Sequence, residues 1–160
     1  MSDAAQILRA ARSLGLRIAT AESCTGGMVA VALTDLAGSS DVFDRGFVTY
    51  SNEAKVQMLG VSHQSLSDHG AVSEAVAREM AEGSLAHSNA GLAVAITGIA
   101  GPGGSQVKPE GRVCFGLARH GKPTEVATVD FGPLGRDKVR LAARDHALAL
   151  LVQAIGPSSL

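Results

Sequence analysis

Apolar and polar positions along the chain follow helical and strand periods in alternation. Residues 4–14 have the spacing of an amphipathic helix, with Asp3 as the expected N-cap and Gly15 at the C-terminal end. Residues 92–97 form an almost entirely apolar run, which is typical of a strand buried on both faces of a sheet. The same patterns predict helices over 26–36, 52–59, 73–87 and 134–155, and strands over 16–21, 46–50, 112–119 and 125–131.

This order of elements predicts the fold class. Strands that alternate with helices favour a parallel sheet covered on both faces, because each connecting helix packs back against the sheet. The strands over 112–119 and 125–131 are separated by a short turn and are expected to pair antiparallel. We therefore predict an α/β protein, a three-layer α/β/α sandwich with a mixed, mostly parallel sheet. A length of 160 residues fits one domain over 1–160.

Composition and charge exclude several classes of protein. Apolar residues make up 46% and charged residues 18% of the chain, as in a globular protein. Aromatic residues are only 3% and the net charge is -1, so neither base stacking nor a basic surface favours nucleic acid as a partner. The N-terminus lacks a signal pattern and no apolar run reaches membrane-spanning length, so we expect a cytoplasmic protein without membrane contact. Cys24 and Cys114 are expected to be free thiols.

The densest group of reactive side chains follows the first predicted strand. Four polar residues and two glycines occupy this turn: Glu22, Ser23, Cys24, Thr25, Gly26 and Gly27. A turn between a strand and a helix exposes side chains and backbone N–H groups, and glycines let a ligand approach the backbone closely. The pattern favours a functional site over a structural turn. Ser23 and Cys24 are both candidate nucleophiles, although a free cysteine more often packs as a small apolar residue.

A second strand-to-helix junction holds Tyr50 and Lys55. If Asn52 caps the following helix, Lys55 lies in its first turn, where the helix dipole disfavours a cation. That placement tends to lower the pKa of the amine, so that a neutral Lys55 could act as a base. The alternative is an exposed surface lysine, and with Tyr50 and Ser51 nearby the two interpretations are equally supported.

A third candidate segment is the glycine-rich loop over 97–104. Thr97 ends a buried strand, and Gly98 and Gly101 belong to a loop whose backbone N–H groups could meet a phosphate or an oxyanion. The glycine spacing fits neither the dinucleotide-binding motif nor the P-loop. From the glycines alone, an ordinary surface loop is an equal alternative.

A fourth candidate is a stripe of three arginines, Arg136, Arg140 and Arg144, which share one face of the last predicted helix. A solvated charged face is the ordinary interpretation. A phosphate clamp is the alternative, because a guanidinium matches phosphate geometry, and Arg136 and Arg140 are the better placed for it. The five histidines are scattered without metal-ligand spacing, so no zinc site is predicted.

Five motifs occur in order: Thr20-Ala-Glu-Ser-Cys-Thr-Gly-Gly27, Tyr50-Ser-Asn-x-x-Lys55, Gly70-Ala-Val-Ser73, Thr97-Gly-Ile-Ala-Gly-Pro102 and Arg136-x-x-x-Arg140. Together they resemble the nicotinamide mononucleotide deamidase family, the amidohydrolase domain found at the C-terminus of CinA proteins. The resemblance implies hydrolysis of the carboxamide of nicotinamide mononucleotide to nicotinate mononucleotide and ammonia, with no metal or cofactor. It also implies a domain without the pyrophosphatase-type module of full-length CinA proteins.

The resemblance further implies roles for individual residues. Ser23 would be the nucleophile, with Tyr50 and Lys55 as its activating and proton-transferring partners. Thr97 would be a polar contact near the scissile amide. The substrate-binding residues would be Glu22, Thr25, Gly26, Gly27, Gly98, Gly101, Arg136 and Arg140. Of these, Arg140 or Arg136 would hold the nucleotide phosphate.

The sequence also gives expectations about the binding partners of the chain. A small-molecule mononucleotide substrate and a homo-oligomer are expected. Two other functions stay open at this point. One is a non-catalytic nucleotide-binding or regulatory domain, and the other is an amidase that depends on Cys24.

Overall fold

The computed structural model describes residues 1–105 and 107–156, in which helices alternate with strands. The strands are β1 (Ile18–Glu22), β2 (Phe43–Val48), β3 (Leu92–Gly98), β4 (Arg112–Arg119) and β5 (Glu125–Asp130). The helices are α1 (Asp3–Leu14), α2 (Met28–Thr34), α3 (Asn52–Leu59), α4 (His63–His69), α5 (Glu74–Ala86) and α6 (Arg136–Ile155). None of these described helices is both long and apolar enough to cross a membrane.

Within the described ranges, the strands form one sheet in the order β2-β1-β3-β4-β5. Strand β1 pairs in parallel with both β2 and β3, whereas β4 runs antiparallel between β3 and β5. All of these strands except β4 therefore share one direction. The predicted mixed, mostly parallel sheet is confirmed, and so is the antiparallel pairing of the last two strands.

Helices cover both faces of the sheet and complete three layers. On one face α1, α2 and α6 pack over a core that includes Leu33. On the other face α3 and α5 enclose a smaller core around Met80. Strand β3 contributes to both cores because its side chains alternate, with Val94 and Ile96 in the first core and Ala95 in the second. This arrangement is the predicted α/β/α sandwich.

Two helix N-caps differ from the predicted residues. Ser2, not Asp3, caps α1, because its hydroxyl accepts a hydrogen bond from the amide three residues ahead at 3.2 Å. Ser51, not Asn52, caps α3 through the equivalent contact at 3.0 Å. In both cases a serine with extended backbone stands one position before the predicted cap, where its short side chain reaches back into the first turn.

Two further differences concern elements with weak apolar patterns. Helix α4 is not predicted, because its seven residues contain one large apolar side chain, Leu66, and so carry no helical period. Strand β2 begins three residues earlier than predicted, since the polar Asp44 and Arg45 obscure a strand that lies at the edge of the sheet.

The carboxyl ends of the parallel strands meet at one edge of the sheet. Strand β1 ends at Glu22, β2 at Val48 and β3 at Gly98, so the segments that follow these strands lie side by side. Helix α6 starts near the same edge, since Arg140 in its second turn donates a hydrogen bond to the backbone of Cys24. The fold therefore brings the four candidate segments to one place.

Candidate active site

A cleft of about 350 Å³ opens at this edge of the sheet. Its polar side chains come from all four candidate segments: Ser23, Tyr50, Asn52, Lys55, Thr97 and Arg136. Residues 98–103 of the glycine-rich loop form one wall. Clefts at the carboxyl ends of parallel strands are the usual ligand sites of open α/β sheets, so this is the candidate active site.

A buried lysine contacts the predicted nucleophile. Lys55 Nζ donates hydrogen bonds to Ser23 Oγ at 3.1 Å and to the carbonyl oxygen of Thr49 at 2.8 Å. Lys55 is only 1% exposed and Ser23 is 8% exposed. The predicted proximity of Lys55 and Ser23 is confirmed, and the alternative of a surface lysine is wrong.

The environment of Lys55 favours its neutral form. Burial lowers the pKa of its ammonium group below the usual 10.5, because removal from water disfavours the charged state. Among the described residues, no carboxylate lies within 4.0 Å of the amine to offset this effect. The direction of the shift agrees with the sequence-based expectation, but its main cause is burial.

The buried carboxylate of Glu22 organises the turn after β1. Its two oxygens accept hydrogen bonds from the amides of Val29 and Ala30, at 3.0 and 3.1 Å, at the start of α2. Because α2 has no side-chain N-cap, Glu22 satisfies amides that would otherwise lack a partner. Glu22 lies outside the cleft lining, so in this geometry it holds the backbone of the turn.

Some amides of the same turn have no partner elsewhere in the described structure. The N–H groups of Cys24, Thr25 and Gly27 donate no hydrogen bond to another described residue, whereas that of Gly26 donates to the Ser23 carbonyl at 3.0 Å. Cys24 follows Ser23 directly and lines the cleft. In hydrolases with a nucleophile at a strand–turn–helix junction, the amide after the nucleophile belongs to the oxyanion hole.

The Cys24 thiol itself is poorly suited to act as a nucleophile. Cys24 is 5% exposed, and a Cβ added to Gly98 would lie 3.1 Å from its Sγ. Burial raises the pKa of the Cys24 thiol to about 11, and the negative charge of Glu22 acts in the same direction. Both Cys24 and Cys114 are free, as predicted.

Thr97 and the glycine-rich loop lie together along one wall of the cleft. Thr97 lines the cleft, and its Oγ1 donates to the carbonyl oxygen of Ala71 at 2.9 Å, which leaves the oxygen able to accept a hydrogen bond. Gly101 has φ 89°, a conformation that glycine adopts without strain. A Cβ at Gly98 would lie 2.7 Å from the side chain of Val113. Both glycines are therefore required by the local packing.

Arg136 connects two sides of the cleft. Its NH1 group donates to the carbonyl oxygen of Gly101 at 2.8 Å, and its NH2 group donates to Tyr50 Oη at 2.6 Å. Tyr50 is 58% exposed, and because its oxygen accepts from Arg136 its own proton is left for a ligand. Tyr50 thus lies beside Arg136 in the described structure, and its predicted role in activating the serine stays a prediction.

The remaining arginines of the stripe lie elsewhere. Arg140 Nε donates to the carbonyl oxygen of Cys24 at 3.0 Å, outside the cleft lining. Arg144 pairs with its neighbour Asp145 at 2.8 Å. In the part of the chain that the structure covers, neither Arg136 nor Arg140 has a carboxylate within 4.0 Å. Neither guanidinium is therefore in a direct ion pair with a described carboxylate.

Some residues predicted to bind substrate do not line the cleft: Glu22, Thr25, Gly26, Gly27 and Arg140. Their contact with substrate stays a prediction. Several lining residues were not among the predicted site residues: Asn52, Ala71, Val72, Pro102 and Gly103. Most of these lie inside the quoted motifs, which was the available signal. Apolar and backbone contacts of this kind have no chemical signature in a single sequence.

No cluster of three or more histidine, cysteine or acidic side chains suited to a metal ion occurs among residues 1–105 and 107–156. The polar groups of the cleft are two hydroxyls, a thiol, a carboxamide, an amine, a phenol and a guanidinium, without a carboxylate or an imidazole, which is not a zinc or magnesium ligand set.

We expect chelators to leave the activity unchanged, because the cleft offers no carboxylate or imidazole ligands. The measurement is the rate of ammonia release after prolonged dialysis against EDTA, compared with an undialysed sample. Loss of activity that one divalent cation restores would contradict the expectation.

The fold and the cleft define an α/β protein in which a buried lysine amine contacts a serine hydroxyl at the carboxyl ends of the parallel strands. The chain belongs to the CinA C-terminal domain family, whose profile matches residues 2–155. The family resemblance inferred from the five motifs is therefore confirmed.

Relatives of two different lengths are similar to this chain. The chain is 50% identical over 149 residues to "Nicotinamide-nucleotide amidohydrolase PncC" of Escherichia coli K12, covering 92% of this chain and 90% of that protein. It is 52% identical over 151 residues to a Symbiobacterium thermophilum protein named for competence and damage induction, covering 86% of this chain. The chain spans only 34% of that second protein.

Solved structures agree with the fold. The competence/damage inducible protein CihA of Agrobacterium tumefaciens superposes with TM-score 0.88 at 46% identity, over 97% of this chain and 96% of that one. A CinA superfamily protein of Escherichia coli superposes with TM-score 0.89 at 37% identity, over 96% and 90% of the two chains.

Proposed function

We propose that this chain hydrolyses the carboxamide of nicotinamide mononucleotide to nicotinate mononucleotide and ammonia, with Ser23 as the nucleophile. The Escherichia coli relative named for amidohydrolysis of nicotinamide nucleotides is similar over 92% of the chain. The observation that carries the proposal is the hydrogen bond between the buried Lys55 amine and Ser23 Oγ in the cleft. A serine hydroxyl needs an adjacent base to become a useful nucleophile, and Lys55 is placed to be that base.

The geometry supports a two-stage acyl transfer. In the neutral form, Lys55 accepts the Ser23 proton as Oγ bonds to the carboxamide carbon. The resulting ammonium then returns the proton to the amide nitrogen, the C–N bond breaks, and ammonia leaves. A water molecule attacks the acyl-serine, with Lys55 again taking and returning a proton, and nicotinate mononucleotide is released.

Negative charge on the carbonyl oxygen needs donors during both stages. The unpaired amide of Cys24 lies next to Ser23, and that of Thr25 follows it. Because Glu22 occupies the amides of Val29 and Ala30 at the start of α2, the oxyanion hole belongs to the turn itself. Preorganised backbone donors of this kind are among the largest contributions to catalysis of acyl transfer.

The anionic end of the substrate is assigned to Arg136. Arg136 lines the cleft and carries a charge with no carboxylate partner among the described residues. The sequence left both Arg136 and Arg140 open for the phosphate, but Arg140 donates to the Cys24 carbonyl outside the lining. The cleft geometry therefore favours Arg136 for the phosphate and Arg140 for holding the nucleophile turn.

We expect Arg136→Ala to raise KM for nicotinamide mononucleotide by about 30-fold, since a lost charge-assisted contact to phosphate costs about 2 kcal/mol. KM for the unphosphorylated riboside should change little, because that substrate lacks the phosphate. Steady-state kinetics on both substrates give the comparison. Arg144→Ala, which removes a guanidinium of the same helix that pairs with Asp145, is the matched control. Equal effects of Arg136→Ala on both substrates would contradict the assignment.

The experiment that tests the function is ammonia release from nicotinamide mononucleotide by the purified chain, with nicotinate mononucleotide identified as the second product. Equal amounts of the two products are expected. Binding of the mononucleotide without turnover would favour a non-catalytic nucleotide-binding domain instead. Turnover that survives loss of Ser23 would leave the activity but refute the serine mechanism.

A further inference from the structure

Residues 107–111 have no role in the proposed catalysis, yet both charged side chains of this segment contact residues that line the cleft. Lys108 Nζ donates to the carbonyl oxygen of His69 at 2.6 Å and also to that of Val72. Val72 lines the cleft. The amide of Gly111 donates to the Ile99 carbonyl at 2.8 Å. The segment is thus fixed at both ends to residues beside the cleft.

Glu110 joins the two elements that hold Arg136 in place. One carboxylate oxygen accepts from the amide of Gly103 in the glycine-rich loop at 2.6 Å. The other accepts from the amide of Gly135 at 3.3 Å, one residue before Arg136. Gly135 is the N-cap residue of α6 and has no side chain to cap the helix, so Glu110 holds the residue at which the helix begins.

The same carboxylate also lies against Gly101. A Cβ added at Gly101 would come within 2.6 Å of the Glu110 carboxyl carbon, so the loop backbone packs directly on this side chain. The carbonyl oxygen of Gly101 is the one that accepts from Arg136 at 2.8 Å. Glu110 therefore constrains both the arginine's helix and the arginine's hydrogen-bond partner.

We propose that Glu110 is a positioning residue that fixes the glycine-rich loop and the start of α6, and thereby sets the affinity of the cleft for the anionic end of its substrate. The proposal rests on the proposed function for the identity of that substrate. Ser23 lies in the turn after β1 and Lys55 lies on α3, and Glu110 makes no described hydrogen bond to either element. Loss of Glu110 is therefore expected to act on KM and not on kcat.

The sign of the effect separates positioning from simple electrostatics. Glu110 is an anion near the cation that binds phosphate, so through-space repulsion alone predicts tighter substrate binding when it is neutralised. A positioning role predicts weaker binding, because Arg136 and Gly101 lose their fixed arrangement. The two explanations thus predict changes of KM in opposite directions.

The kinetic experiment compares Glu110→Ala, Glu110→Gln and the control Asp137→Ala. Asp137 is an exposed acid in the first turn of α6 whose side chain makes no described hydrogen bond or ion pair, so its removal takes a negative charge from the same helix end without breaking a clamp contact. Glu110→Ala should raise KM for the mononucleotide about tenfold with kcat within about twofold, as expected when charge-assisted hydrogen bonds are lost. Glu110→Gln keeps the shape of the side chain and one acceptor oxygen, so its KM should rise less than that of Glu110→Ala. In an Arg136→Ala background Glu110→Ala should add little, because Glu110 acts through the contact that Arg136→Ala already removes.

Hydrogen exchange tests the clamp without any substrate. The amides of Gly103 and Gly135 should exchange faster in both Glu110 variants than in the unmodified protein and in Asp137→Ala, while the amides of β1 and β3 stay protected. Unchanged exchange at both glycines, or a KM that falls on neutralisation, would overturn the proposal. If the unmodified protein releases no ammonia, the proposed function fails, and the exchange rates still decide whether Glu110 holds the two elements together.

Discussion

Ser23→Ala is expected to abolish ammonia release from nicotinamide mononucleotide, with kcat falling at least about a thousandfold because the covalent route is lost. The hydroxyl is the group that Lys55 contacts at 3.1 Å, and alanine leaves no atom to attack the carboxamide. Single-turnover kinetics with excess enzyme measure the chemical step. Thermal unfolding of the variant should match that of the unmodified protein, since Ser23 Oγ makes no other described hydrogen bond.

Cys24→Ala is the matched control for that change. The neighbouring thiol lines the same cleft, but burial raises its pKa to about 11, so little thiolate exists at neutral pH. The variant should keep most of its turnover. Retention of more than about a tenth of the activity by Ser23→Ala, together with inactivity of Cys24→Ala, would transfer the nucleophile role to the cysteine.

The fold followed from apolar periodicity wherever that periodicity was strong. Strand β3 is nearly all apolar because it is buried on both faces, and its bounds differ by one residue from the expectation. Helix α4 has one large apolar residue, Leu66, and escaped prediction. The cap residues Ser2 and Ser51 show the remaining error, because a hydroxyl one position earlier competes with the predicted cap and only geometry decides between them.

The site was predictable where chemistry and strand order act together. Ser23 and Lys55 are far apart in sequence, but each follows a parallel strand, so the sheet brings them together. The rotation of α6 was not predictable: Arg136 and Arg140 share a helix face, and only packing shows that the first reaches the cleft. Glu110 was missed because a carboxylate that binds distant backbone amides leaves no spacing signal.

Lys55→Arg and Lys55→Met are both expected to be nearly inactive, although the first keeps the charge and the second keeps only the length. Arginine does not give up its proton near neutral pH, so it cannot replace a base, whereas an electrostatic anchor would tolerate it. The comparison of kcat for the two variants makes this distinction. Near-normal turnover by Lys55→Arg would mean that Tyr50 transfers the proton alone.

The pH dependence of activity and of stability is an independent test of Lys55 as the base. The neutral amine is the active form, and burial lowers the Lys55 pKa below 10.5, so kcat/KM should rise with pH and level off at a lower pH than an exposed lysine would allow.

The stability of the protein should depend on pH in the same direction. Between the folded and unfolded pKa values of Lys55 the unfolded chain binds the extra proton, so the free energy of unfolding should also rise with pH in that window. Lys55→Met should remove both pH-dependent rises, and its stability at neutral pH should be equal or higher, because a buried amine without a carboxylate partner is costly even when it is hydrogen-bonded. If kcat/KM of Lys55→Met still rises over the same pH range, then a group other than Lys55 titrates there.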